Sequence, residues 1–154
     1  MEQTLSYVLV TPYTIAKSRT GGVVSRLLSR LDIELVGAQM IAPDENLIAE
    51  YASLVRNQKD KDSQRAAELL AQYVEQKLAP SLGRKHRSLF LLFRGEDPCL
   101  KFSESCGALY SESQNIENLT GETIRDTYAD LIVDPENPDD VTYFEPAVIT
   151  PRMQ

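Results

Sequence analysis

The chain has 154 residues, 42% of them apolar and 25% charged, with a formal net charge of −7. That size and balance suit one soluble domain over 1–154, able to bury roughly 68–70% of its unfolded surface. The acidic excess argues against a general nucleic-acid binder or a membrane-surface binder, because phosphate neutralisation needs clustered lysine and arginine; Arg84, Lys85 and Arg87 form the one dense basic stretch.

Residues 5–10 are a short apolar run with β-branched and aromatic members, closed by Thr11-Pro12, and predict a buried strand. Residues 18–22 read as a loop in which Thr20 caps a helix with Val23, Val24, Leu27, Leu28 and Leu31 at helical spacing. Residues 33–40 return as a strand, with Ile33, Leu35 and Gly37 on one face. Pro43-Asp44 opens a second helix, where the N-terminal dipole favours acid, and Leu47, Ile48, Tyr51, Leu54 and Val55 form its apolar stripe.

A polar break at 57–62 precedes a helix over 65–78 that ends before Pro80 and Gly83. Residues 88–93 are nearly all apolar and predict a central strand. Pro98 sits early in the next helix. The stretch 111–122 is polar and reads as an exposed loop, after which 127–133 and 141–144 predict two strands joined by a turn-rich segment. The order β-α-β-α-α-β-α-β, with an extra strand allowed, matches an α+β, ferredoxin-like fold whose antiparallel sheet carries helices on one face.

Cys99 and Cys106 lie seven apart without a nearby histidine, a spacing that matches no zinc pattern. On one helix they would be separated by ~10.5 Å of rise, too far for a disulfide, so reduced thiols are expected. Glu2 stands where a signal peptide carries positive charge, and the first apolar run is too short to span a membrane, so a cytoplasmic location is expected.

Three blocks carry a family resemblance. Residues 5–12 with Gly21-Gly22-Val23-Val24-Ser25-Arg26-Leu27-Leu28, the stretch 89–107, and Gly121-Glu122-Thr123-Ile124-Arg125-Asp126 occur in the order found in the nucleoside diphosphate kinases, which this chain resembles. The third block looks like the family's Gly-Thr-Ile-Arg-Gly segment with one residue inserted. The resemblance implies that family's fold, a homo-oligomer, and a site for nucleoside di- or triphosphates with Mg²⁺ arriving on the phosphates.

The active-site pattern departs from the family. Where the family has Lys-Pro-Asp after its first strand, with the lysine approaching phosphates, this chain has Thr11-Pro12-Tyr13. Tyr51 matches a family tyrosine near the nucleotide, and Leu54 stands at the family histidine three residues on. The family arginine after the central strand falls on Ser103, whereas Arg125 matches the arginine of Thr-Ile-Arg. The phosphate-carrying histidine of the C-terminal third has no counterpart: His86 is the only histidine, and residues 133–140 read Val-Asp-Pro-Glu-Asn-Pro-Asp-Asp. Phosphohistidine transfer needs an imidazole nucleophile and cations that draw phosphates close. Four acidic residues in 134–140 would instead repel them.

The resemblance therefore implies Tyr51 and Arg125 as retained nucleotide contacts, with Thr11 and Ser103 supplying weak hydroxyl contacts. Each has a plainer reading. Arg125 either holds a phosphate or base-edge group or pairs with Glu122, Asp126 or Asp130; Tyr51 either stacks on a ligand or faces the core. His86 reads as a residue of a basic turn, lacking the carboxylate that would orient an imidazole nucleophile. Gly21-Gly22 lacks the lysine and hydroxyl of a phosphate-cradling loop and reads as a tight turn or close packing. The acidic stretch 134–140 resembles a calcium loop only in charge, and no serine has a nucleophile-elbow context. The expected function is a nucleotide-binding or interaction module without phosphohistidine transfer. The alternatives are a working kinase using His86 or an acidic residue of 134–140 as acceptor, and an oligomerisation scaffold without nucleotide.

Overall fold

The structure, a computed structural model, describes residues 2–57, 64–107, 123–137 and 141–151. The break at 58–62, the polar stretch 111–122 and residues 138–140 of the acidic stretch lie outside them.

Strand β1 (Thr4–Val10) alternates two apolar sets, so Tyr7 and Leu9 face one way and Val8 and Val10 the other. It pairs antiparallel with β3 (Ser88–Gly95), which in turn pairs antiparallel with β2 (Ile33–Ile41). A two-residue strand not anticipated from the sequence, β6 (Val148–Ile149), adds to the other edge of β1 and completes the order β2-β3-β1-β6. The apolar run of β3 is thus interior, as expected. On β2 the register shifts between Leu35 and Gly37, so the expected alternation of Ile33, Leu35 and Gly37 is broken by a bulge.

Helices cover both faces of this sheet, not one, and the reason lies in β1 and β3. Their residues are apolar toward both sides and cannot be left wet on either. Helices α3 (Glu45–Asn57) and α4 (Gln64–Tyr73), with the π-helical turn Val74–Leu78, bury Ile48, Ala52, Val55, Leu70, Val74 and Leu78 against Leu9 and Ile149. On the opposite face α2 (Thr20–Arg30), α5 (Pro98–Cys106) and α6 (Ile124–Tyr128) bury Val23, Leu27, Phe102, Cys106 and Ile124 against Val8, Val10, Leu91, Phe93 and Val148.

Several helix boundaries differ from expectation. Thr11 does not merely close β1; it caps a short helix α1 (Pro12–Ala16), its Oγ1 accepting the Thr14 N–H at 3.3 Å with Pro12 in the first position. Thr20 is not a cap but lies inside the first turn of α2 after Arg19, and its Oγ1 is buried without a partner. Gly21 and Gly22 are therefore helical. A Cβ on Gly22 would fall 2.1 Å from the Tyr128 hydroxyl, so its bareness lets α2 approach α6. Asp44 behaves as expected, accepting the Leu47 N–H at 2.8 Å. Thr127 and Tyr128 belong to α6, not to a strand, because Thr123 Oγ1 accepts the Asp126 N–H at 3.1 Å and starts a helix there. The strands that follow, β4 (Asp130–Val133) and β5 (Val141–Glu145), pair with each other as a separate two-stranded sheet. Both cysteines are unpaired thiols, with Cys106 buried. No helix among the described residues is long and apolar enough to cross a membrane.

Candidate functional site

The four residues singled out from the sequence reach different surroundings. Thr11, at the exit of β1, is fully buried, and its Oγ1 donates to the Ala147 carbonyl at 3.1 Å. Arg125, on α6, is 8% exposed, and its guanidinium is spread over backbone carbonyls. Nε donates to Pro146 O at 3.2 Å, Nη2 to Val148 O at 3.0 Å, and Nη1 to Gly107 O. Tyr51, on α3, packs against the core that α3 and α4 share with Leu9 and Ile149, and its hydroxyl pairs with that of Tyr7 at 3.0 Å. Burial holds the Tyr51 phenol well above the ordinary tyrosine range. Ser103 is exposed on α5, its carbonyl accepting the Gly107 N–H that closes the helix.

Thr11 and Arg125 therefore converge on one segment, Glu145 to Val148, and Tyr51 and Ser103 stand outside that convergence. The segment is held at every residue. The Ala147 carbonyl accepts three donors: the Thr11 N–H at 3.2 Å, Thr11 Oγ1, and Thr14 Oγ1 at 2.8 Å. Ala147 itself has φ +68° and is fully buried, and the Val148 N–H donates back to Pro146 O at 2.8 Å. That is a γ-turn of positive φ, the rarer and strained kind, in a residue that carries a Cβ.

Glu145 anchors the segment's leading end. It is 4% exposed, and the Tyr73 hydroxyl donates to its Oε2 at 2.5 Å. Burial pushes the Glu145 carboxyl above its usual range, while the Tyr73 hydrogen bond and Lys77 pull it partly back. Burial likewise pushes the Tyr73 phenol far up. Beside this pair Asp130, directly opposite Glu145 in the β4–β5 ladder, accepts from Tyr13 at 2.9 Å and from Arg19 at 3.2 Å. Sequence reasoning missed Tyr73, Glu145 and Thr14. The available signals were the Thr-Pro helix start and a lone glutamate between Phe144 and Pro146.

His86, two residues before β3, is half-buried and its Nδ1 has no hydrogen-bond partner among the described residues. Leu54 is 66% exposed on α3. Among the described residues no group of three or more histidine, cysteine or carboxylate side chains is placed to hold a metal ion.

Comparison with known proteins bears on the fold. No protein-family model matches the chain, and neither does any curated protein sequence. Solved structures do match. The nucleoside diphosphate kinase of Aquifex aeolicus aligns with a TM-score of 0.60 over 97% of this chain and 85% of that one, at 12% identity. That of Halobacterium salinarum, in complex with CDP, aligns at 0.61 over 97% of this chain and 77% of that one, at 15% identity. The Borrelia burgdorferi enzyme, with bound vanadate and ADP, aligns at 0.56 over 82% of this chain and 66% of that one, at 19% identity. The chain has the nucleoside diphosphate kinase fold. At such identities the likeness is one of fold alone, with an antiparallel sheet and packed helices in common.

Proposed function

We propose that this protein is a nucleoside diphosphate kinase-fold interaction module that does not transfer phosphate through a histidine. The observation that carries the reading is the convergence of Thr11 and Arg125 on the chain's own residues 146–148. By resemblance Thr11 stands where the family's phosphate-approaching lysine lies, and Arg125 matches a family arginine that would hold a phosphate or base-edge group. In this chain their hydrogen-bonding groups are engaged with backbone carbonyls. A guanidinium buried on such acceptors offers an incoming phosphate little unless the segment moves. The chain's single histidine, His86, supports the same reading, because it lies far in sequence from the family's acceptor position.

Nucleotide binding through Tyr51, Ser103, Thr11 and Arg125 is the second form of this proposal, with Mg²⁺ expected only alongside a nucleotide's phosphates. A homo-oligomer is proposed as well. Its support is β2, which pairs on one side only among the described residues and exposes Leu35, Val36 and Met40.

The test is thermal unfolding with and without millimolar ATP, GTP and their diphosphates plus Mg²⁺, run beside a phosphate-transfer assay. We expect no transfer and no rise in midpoint. Binding at a hundred times the dissociation constant would add about 2.7 kcal/mol, so a clear shift without turnover would favour the nucleotide-binding form. Transfer that disappears in His86→Ala would overturn the proposal.

A further inference from the structure

The clamp on residues 145–148 contains one ionisable side chain, Glu145, which is buried with a phenol as its hydrogen-bond donor. We propose that Glu145 is its proton-sensitive catch: protonated, it stays buried beside Tyr73 with the β4–β5 pair docked on α4, and ionised, it lets that pair come away. This device is independent of whether the module binds nucleotide.

The geometry is asymmetric in the way a catch requires. Asp130 and Glu145 face each other across the ladder, but among the described residues only Asp130 has a cation, Arg19, within 3.2 Å. Glu145 is the more deeply buried of the two, and a neutral phenol is its hydrogen-bond donor. The charged and titratable groups around it come from four directions. Tyr73 and Lys77 lie on α4 and its π-helical extension, Asp130 on β4, and Tyr13 and Arg19 hold Asp130 from the α1 side. Arg125 reaches the neighbouring carbonyls from α6. A carboxylate in that setting gains too little from one phenol and Lys77 to offset lost hydration, with Asp130 opposing it. Two residues on, the positive φ of Ala147 is strain that undocking relieves.

The sign follows from linkage. The docked carboxyl holds its proton more tightly than a free glutamate, as burial requires. Docking is therefore complete below the free-glutamate range and is lost as pH rises through the raised value. Within that window the docking equilibrium falls by up to roughly tenfold per pH unit.

Hydrogen exchange of the full chain, corrected for intrinsic chemistry, tests this from about pH 4, the free-glutamate range, upward. Protection over 141–150 should fall with rising pH in the native chain and stay level in Glu145→Gln, which keeps an acceptor for Tyr73 without the charge. Tyr73→Phe removes the donor that helps the ionised form, so it should deepen the alkaline loss more than it changes protection at acid pH. A native profile that is level, or a fall of equal size in Glu145→Gln, would overturn the proposal. Should Glu145→Gln fail to fold, an unchanged pH profile in Tyr73→Phe would do the same.

Discussion

The Arg125 guanidinium donates to the Val148 carbonyl at 3.0 Å from a position 23 residues earlier in the chain, tying α6 to the strand that completes the sheet. Its Nε takes Pro146 O in the same grip. Replacing it with methionine preserves much of the aliphatic stem but leaves buried carbonyls without donors. Arg125→Met should destabilise by about 3–5 kcal/mol. Arg125→Lys keeps the charge but not the fork, and should cost about 1–3 kcal/mol. Denaturant unfolding measures both, and losses under ~0.5 kcal/mol would refute a structural role for this arginine.

Thr11 and Thr14 share one acceptor, the Ala147 carbonyl, and their hydroxyls lie 2.9 Å apart. Thr11→Val removes a cap and a donor together and should cost about 1–2 kcal/mol, with Thr14→Val nearer 1. Because the two act on one oxygen, the double variant should depart from additivity by about 0.5–3 kcal/mol. Strict additivity in a double-mutant cycle would mean that the shared carbonyl is not what couples them.

The adjacent glycines of α2 should respond in opposite directions. Gly21 has open space where a Cβ would be, so Gly21→Ala gains helix propensity and should stabilise by up to about 1 kcal/mol. On Gly22 the same atom would meet the Tyr128 ring, which Arg26 overlies at 5.4 Å. Gly22→Ala should destabilise by about 1–3 kcal/mol as α2 is pushed from α6. Thermal midpoints that move the same way in both variants would contradict this packing.

Tyr7, Tyr13, Tyr51 and Tyr73 should ionise late. Burial raises Tyr7, Tyr51 and Tyr73, and hydrogen bonding to Tyr143 and Asp130 raises Tyr13. A raised phenol contributes stability that is present below the ordinary tyrosine range and lost as pH climbs through the folded value. Ultraviolet titration of the native protein should therefore show these phenols ionising only at higher pH or upon alkaline unfolding. Removing the Tyr7 partner by Tyr51→Phe should cost about 0.5–1.5 kcal/mol. Simple ionisation of all seven at the free value would contradict the burial of these rings.

Much of the fold was legible in the sequence because its signals are local. The apolar run of β3, the Asp44 start of α3 and the Pro98 start of α5 each depend on a few neighbouring residues, and each element forms where those residues indicate. The resemblance carried in three blocks points to the same fold that structural comparison finds. The failures are instructive for the same reason. Thr127-Tyr128 has strand composition, but the Thr123 cap outweighs it and makes a helix turn. β6 is two residues long, too short for any periodicity to mark, and exists because β1 offers it an edge.

The sequence alone determined the order of the principal elements, the lone histidine and the absence of lysine at the end of the first strand. These are properties of residue identity and near-neighbour spacing. Only the tertiary structure decided what Thr11 and Arg125 do, because a donor's partner is set by three-dimensional approach. Thr11 meets Ala147 across 136 positions of chain, and Tyr73 meets Glu145 across 72. No local pattern encodes such pairings. They arise when two cores close on opposite faces of one sheet and bring the buried polar groups within reach of the acceptors that burial obliges them to find.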